Sequence, residues 1–459
     1  IYGENENESQ QYNFNYKHDF DEDGQNIELE VDHNIFDGFG DTNNLFSNSQ
    51  RPNFIEDTDT DRNRTTINLD YVKPLSESVK LELGLQARLF DNSIFYESDG
   101  REQNINGDYI PTTTRFDYTR DIYSAYATYG KTLEKWSYQI GLRAENVTVD
   151  SEAFKQDLAS NEELTIPFEN DYFQVYPSAF FTYTPSEKNS YQLSYSRRID
   201  RPGIGQVNPL PEFNTALISQ FGNQNLLPQF TNSVETNYTR KLEKGSITAG
   251  VFYRIIEDEI QQAILIDRTN TDRLILTNLN FDNTSAYGIE LSSNYRPTKW
   301  WSINGSFDLF SQTQKSVAES FDTNGDIVLN TVEVDNIAWN LRAFNNFKAS
   351  KSLSFSVFGM YRGKNKNIQF EMQEMLMVNL GMRYNFMEGR ANFSLSYNDI
   401  FDTMFAQFDG QRPFLQRGQF NFESQQISGR LSYRFGGGKY RAKSRKRRDN
   451  DEKEGGGIF

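Results

Sequence analysis

The chain has no cysteine and only two histidines, His18 and His33, in 459 residues. The first absence excludes disulfide frameworks, thiolate metal sites and cysteine nucleophiles. The second leaves little material for imidazole chemistry. Long apolar runs are missing too. No stretch approaches the ~18 consecutive apolar residues of a membrane helix, so a bilayer can be crossed here only by strands closed into a barrel. Positive charge is scarce: 47 Lys+Arg against 64 Asp+Glu give a formal net charge of -17. That is the wrong sign for a surface that tracks nucleic-acid phosphates.

What is present is aromatic. Apolar residues make up only 36% of the chain, yet rings reach 14%, with 37 Phe and 25 Tyr, at a mean hydropathy of -0.72. Few apolar residues with many rings suit a wall one residue thick better than a filled core. The arrangement agrees. From Lys80 to Leu89, Leu81, Leu83, Leu85, Ala87 and Leu89 alternate with Lys80, Glu82, Gly84, Gln86 and Arg88, which is the period of a strand with one apolar and one polar face. Tyr191, Leu193 and Tyr195, then Ile247, Ala249, Val251 and Tyr253, and finally Ile427, Leu431, Tyr433 and Phe435 repeat the scheme. The polar faces carry Glu82, Glu235, Glu290 and Asp308, charges that a wet lumen accepts and a dry core does not.

Counting such segments gives about seventeen strands of an all-β, antiparallel transmembrane barrel. Short connections, such as Asp21 to Gln25, Lys73 to Ser78 and Lys131 to Glu134, alternate with long ones, such as Ile35 to Asn63, Phe90 to Thr114 and Asp200 to Phe230. Short turns belong in the periplasm and long loops outside the cell. Trp136, Trp300, Trp301 and Phe386 lie beside short turns, where rings settle at headgroup level. The first full strand is expected to start near Gln10, with Gly3 to Glu8 a loop after the end of an earlier strand. Both terminal strands then run towards the periplasm, and closure of an antiparallel cylinder requires an odd number of further strands before Gln10. The chain starts at Ile1 without a signal-peptide pattern and is expected to be a processed chain or part of a longer one. Residues 1–435 form the barrel. Residues 436–459, with the basic run KYRAKSRKRR from Lys439 to Arg448, read as a disordered periplasmic tail.

The stretch from Ser194 to Tyr238 combines Arg197-Arg198, Arg201-Pro202, Asn208-Pro209, Gly222-Asn223, Leu227-Pro228 and Glu235. This pattern resembles a Bacteroidota outer-membrane barrel family related to TonB-dependent receptors, and the similarity extends more weakly over most of the chain. The resemblance implies a plugged barrel of about 22 strands that imports a bulky nutrient, with TonB engaged through a plug not visible in this sequence. The alternative reading is a structural barrel that docks a surface lipoprotein or other subunits in an outer-membrane complex.

Candidate sites follow. Arg197, Arg198 and Arg201, with Glu235, read as ligand or rim residues: guanidinium groups on a lumen wall can grip carboxylates or sugar hydroxyls, or can anchor the rim by pairing with lumen carboxylates. Glu56, Asp57, Asp59 and Asp61 form an acidic run in a loop; it is a weak candidate for Ca²⁺, lacking the EF-hand glycine and terminal glutamate, and no other cofactor is expected. Catalysis is not expected, because adjacent Asp32 and His33 point to opposite faces of a strand. Loop rings such as Phe36, Phe39, Phe95, Phe213 and Phe408 are candidates for stacking on a sugar or a partner. Leu431, Tyr433 and Phe435, or else the terminal Phe459, read as the signal for the barrel-assembly machinery. Outer-membrane lipids are the remaining expected partner.

Overall fold

The computed structural model describes residues 2–21, 23–46, 52–103, 108–210, 213–214, 218–268 and 273–435. Among them, strands in chain order build one wall: β1 (Tyr2–Asp19), β2 (Asn26–Asn44), β3 (Phe54–Ser76), β4 (Val79–Gln103), β5 (Tyr109–Thr132), β6 (Trp136–Asp157), β7 (Glu163–Ser186), β8 (Asn189–Asp200), β9 (Gln229–Leu242), β10 (Gly245–Ile266), β11 (Leu274–Tyr295), β12 (Trp301–Phe321), β13 (Ile327–Lys348), β14 (Leu353–Arg362), β15 (Met375–Phe386), β16 (Ala391–Asn398) and β17 (Gln426–Tyr433). Each pairs antiparallel with the next. Among the described residues β1 and β17 do not pair with each other.

The faces are those that the alternation predicts. Leu85, Ile140, Leu142, Phe173 and Val251 are more than half exposed, on the face that turns to lipid. On the opposite face Asn68, Asp70, Ser124 and Glu145 are buried. Rings gather at the short-turn end. Trp136 stacks on Tyr183 at 3.9 Å, Tyr191 lies 4.8 Å from Tyr238, and Trp301 stacks on Phe347. Such a ladder suits the headgroup layer.

The long connections are mostly strand. β4 has 25 residues and is therefore ~80 Å long at ~3.3 Å per residue, far more than crossing a ~25 Å apolar band requires. Above the band both faces are wet. The apolar alternation stops while the backbone ladder continues, so Ile35 to Asn63 and Phe90 to Thr114 fold largely as extensions of β2, β3, β4 and β5. For the same reason β1 begins at Tyr2, not near Gln10. Gly3 to Glu8 pair with Thr42 to Asp37 and are strand, not the loop expected from sequence.

Two segments fold inward on the extracellular side. The first, after β8, carries a short helix, Ile204–Val207. It buries Val207, Leu210 and Leu226 against Phe116, Tyr118 and Ala153 of the wall. The second, between β14 and β17, forms a small sheet of Asn365–Lys366, Phe370–Met372, Phe405–Gly410 and Gln416–Asn421. Its Ile368 packs among Phe281, Ala318, Val332 and Val334. Gln369 substitutes for a strand neighbour: its side-chain amide donates to the Ile264 carbonyl and accepts from the Ile264 N–H, each at 2.7 Å. The apolar cores thus sit at the extracellular end, between wall and folded-in segments.

A candidate lumen site and the family

The inward face of β3 to β7 holds an ionic network. Glu145, on β6, is buried. It accepts from Arg143 Nε at 2.5 Å, Arg88 Nη2 at 3.4 Å and Ser124 Oγ at 3.3 Å, and it also takes the Arg201 guanidinium. Arg201 Nε donates to the Tyr172 hydroxyl at 3.2 Å. Arg143 bonds in turn to Ser124, at 2.7 Å, and to Gln86. Below them Tyr126 donates to Asp70, and its ring lies over Gly84, where any Cβ would collide with it. A second lumen network centres on Arg254, which reaches Glu235 at 3.0 Å and Glu290 at 3.2 Å and lies 4.0 Å from the Phe252 ring centroid.

The three candidate arginines do not share one wall. Arg197 has the strand phase of Tyr191, Leu193 and Tyr195, the outward face. There it pairs with Glu257 at 3.1 Å and Asn232 at 3.2 Å, its guanidinium 4.7 Å from the Phe230 ring centroid. Arg198 has the opposite, inward phase. Arg201 lies beyond the strand, buried on Glu145. Alternation thus separates Arg197 from Arg198, so the three do not line one lumen face, and Arg197 and Arg201 each pair with a carboxylate, Glu257 and Glu145, as rim anchors would.

The acidic run is corrected as well. Glu56, Asp57, Asp59 and Asp61 lie on β3, not in a loop. Glu56 faces one way and pairs with Arg101 at 2.8 Å; the three aspartates face the other, spaced ~6.6 Å apart along the strand, too far apart to surround one ion. Among the described residues no group of three or more His, Asp or Glu side chains is placed to hold a metal. His33 bonds to Thr65 at 2.9 Å and Asp32 to Asn13, on opposite faces. Of the loop rings, Phe36 receives Arg62 and Phe408 packs with Phe370 and Phe420; the Phe213 side chain lies outside the described residues. Leu431 and Tyr433 share one face of β17, whose residues are exposed on both faces, and Tyr433 stacks towards Phe435. Phe459 and the whole tail 436–459 lie outside the described residues.

Arg64, Arg88, Arg120, Arg143, Glu145 and Tyr172 were not singled out from sequence, although each lies in the polar phase of its strand. A charged residue in that phase just above an apolar run was the available signal.

A wall of alternating strands, lipid-facing outside and ionic inside, with extracellular segments folded into its mouth, defines an outer-membrane β-barrel protein. The chain belongs to the outer membrane protein beta-barrel family, whose model matches residues 18–433. Solved structures share the fold. The ferric yersiniabactin uptake receptor FyuA from Yersinia pestis matches with TM-score 0.61 at 13% identity, covering 92% of this chain and 60% of that one. The siderophore receptor PiuA from Acinetobacter baumannii matches with 0.62 at 15%, covering 93% and 64%. The copper transporter OprC matches with 0.65 at 10%, covering 93% and 65%. This chain thus spans less than two thirds of the length of those receptors. Among curated proteins no relative matches the sequence.

Proposed function

We propose that the chain is the barrel of a TonB-dependent importer that captures a bulky nutrient with its extracellular segments and admits it through the lumen past a plug. The observation that carries this reading is the inner wall. Buried and half-buried ions on the Glu145 and Arg254 networks line an aqueous path, and they are of the kind a protein keeps where solute and water pass rather than where it seeks stability. The folded-in segment after β8 rests directly on that wall, as a capture surface would. Fold kinship with uptake receptors supports the same reading. The test is genetic. Deleting the gene and inactivating TonB should give the same growth defect on a limiting nutrient, with no further loss in the double mutant. Unimpaired growth of both strains on every nutrient tried, together with a stoichiometric partner that stays bound without ligand, would overturn the proposal in favour of a docking subunit.

A further inference from the structure

The inward face of the wall is not uniform. On β4 to β11 Arg88 and Arg143 are paired with Glu145, and Arg254 with Glu235 and Glu290. From β13 to β17 such pairing ends. Arg342, Met360 and Met377 form one cross-strand row on β13, β14 and β15, and Arg383, Ser394 and Arg430 form another on β15, β16 and β17. Leu341, Leu380 and Leu395 hold the opposite, lipid-facing phase, so both rows face the lumen. Along β13 to β17 the lumen phase carries Arg342, Lys348, Arg362, Arg383 and Arg430 and not one Asp or Glu, in a chain whose net charge is -17. Arg342, Arg383 and Arg430 are exposed, and among the described residues none of them makes a side-chain hydrogen bond or an ion pair. Their guanidinium groups are open to a ligand. Arg362, one row above Arg342, is half-buried, and its Nε and Nη2 likewise have no partner. The charges are strung along the barrel axis: Arg383 follows Met377 on the same face, ~20 Å nearer the periplasm at ~3.3 Å per residue. Unpaired like charges repel one another and add nothing to stability, but a cleft lined by one sign of charge focuses a field that draws in solutes of the other. Anion-selective pores are lined by Arg or Lys in this way.

We infer that the inward face of β13 to β17 is a track for an anionic solute, one that carries carboxylate or phosphate oxygens. The open guanidinium forks of Arg342, Arg383 and Arg430 match such oxygens. Met360 and Met377, below Arg362 and above Arg383, offer a neutral, adaptable surface between the charged levels. Passage requires sites that bind and then release, and charges placed at successive heights supply them. A fixed protein partner would instead draw on contacts gathered in one buried centre. The inference rests on the lumen being a solute path and adds the charge class of what travels along it.

The experiment uses the full gene product in neutral detergent, titrated calorimetrically with tripolyphosphate and, separately, with citrate, so that phosphate and carboxylate are distinguished. At least one probe should bind saturably, and less tightly as salt is raised. Binding should weaken at least tenfold when Arg342→Gln and Arg383→Gln are combined. Lys315→Gln, which removes the same charge from the outer face of β12, should bind as wild type. Thermal unfolding of the double variant should match wild type, because neither arginine holds a protein partner. Absence of saturable binding of either probe to the wild type, or full retention in the double variant, would overturn the inference. So would a carbodiimide cross-link from the amine introduced by Arg383→Lys to another segment of the gene product, which would seat an acidic polypeptide on this wall. These outcomes are independent of the growth test: a barrel that needs TonB yet binds neither probe keeps its import role and loses the anion track, and the converse separates them equally.

Discussion

At the scale of single residues, the lumen wall is organised around carboxylates that serve several donors at once. Glu145 holds Arg143, Arg88 and Arg201, and only the last of these belongs to the folded-in segment. Glu145→Gln keeps the shape but leaves buried guanidinium groups without their counter-charge. Breaking a buried pair in this way costs about 3–5 kcal/mol, and the loss should fall on the folded-in segment. Chymotrypsin cleavage after Phe221, in that segment, should rise sharply while the strands stay intact on the gel; unchanged protection would show that Val207, Leu210 and Leu226 hold the segment unaided. Asp399, in the loop after β16, is a second hub. Burial acts to raise its carboxyl, but the Ser424 hydroxyl, the Met404 and Thr403 N–H groups and the Thr403 hydroxyl outweigh it and hold the group below the ordinary value of 3.8. A depressed folded-state pKa contributes stability that is complete above the unfolded value and is lost as pH falls through the folded one. With no native cysteine, a spin label on Phe401→Cys reports this loop alone. Its mobility should stay constant from neutral pH down to about 4 and increase only below that. The same label in an Asp399→Asn background should be mobile throughout. Loosening of the wild-type loop between pH 7 and 5 would assign its order to other groups.

The strand is the element at which the sequence speaks most clearly, and β4 shows where it falls silent. Leu81 to Leu89 reveal a strand, its lipid face and its lumen face, because in hydrocarbon one face must be apolar while the other is wet. At Asp91 the outer face turns polar. Asp61 on β3 and Asp121 on β5 make the same change close by, and from there the backbone ladder alone continues the strand. Hydrogen bonding between main chains leaves no mark on side-chain type, so Gly3 to Glu8 and Glu56 to Asp61 looked like loops. The lumen network was hidden for a different reason. Arg88 and Glu145 each stood in a visible polar phase, but their meeting depends on the register of three strands across 57 residues of chain, and alternation does not encode register between strands. The folded-in segments were least legible, being packed by a few apolar residues such as Leu210, Leu226 and Ile368 without any period. The height at which lipid ends can be measured directly. Leu85→Arg, near the middle of the apolar run, should cost about 2–4 kcal/mol in reversible folding into vesicles, whereas Asp59→Arg, on the same outward face but above the band, should stay within about 0.5 kcal/mol. Equal costs at both positions would place the membrane boundary elsewhere.

At the scale of the whole molecule, the wall has to become a cylinder. Hydrocarbon leaves an open sheet edge unsolvated, so the outer edges of β1 and β17 must each find a neighbour in the membrane. The direction of the chain restricts which. β1 runs from the extracellular side to the turn before β2, and β17, reached through an even number of reversals, runs the same way. Direct pairing between them would be parallel, whereas neighbouring wall strands all pair antiparallel and the parallel pairing among the described residues is a short one, Ile218–Gln220 of the folded-in segment against Leu274–Leu276 of β11. Closure through an odd number of intervening strands keeps every contact antiparallel, and each such strand separates β1 from β17 by a further ~4.8 Å. Disulfides require Cα atoms within about 7 Å, which discriminates the two arrangements. Cysteines at Ser396 and Ser428, whose hydroxyls are 2.6 Å apart across β16 and β17, should link readily in the outer membrane. Cysteines scanned over Asn13 to Lys17 against Ser428 should not link at any position. Efficient linkage at one of them would establish a parallel seam, a narrower lumen and less room for a plug, and the import reading would then lose the width it requires.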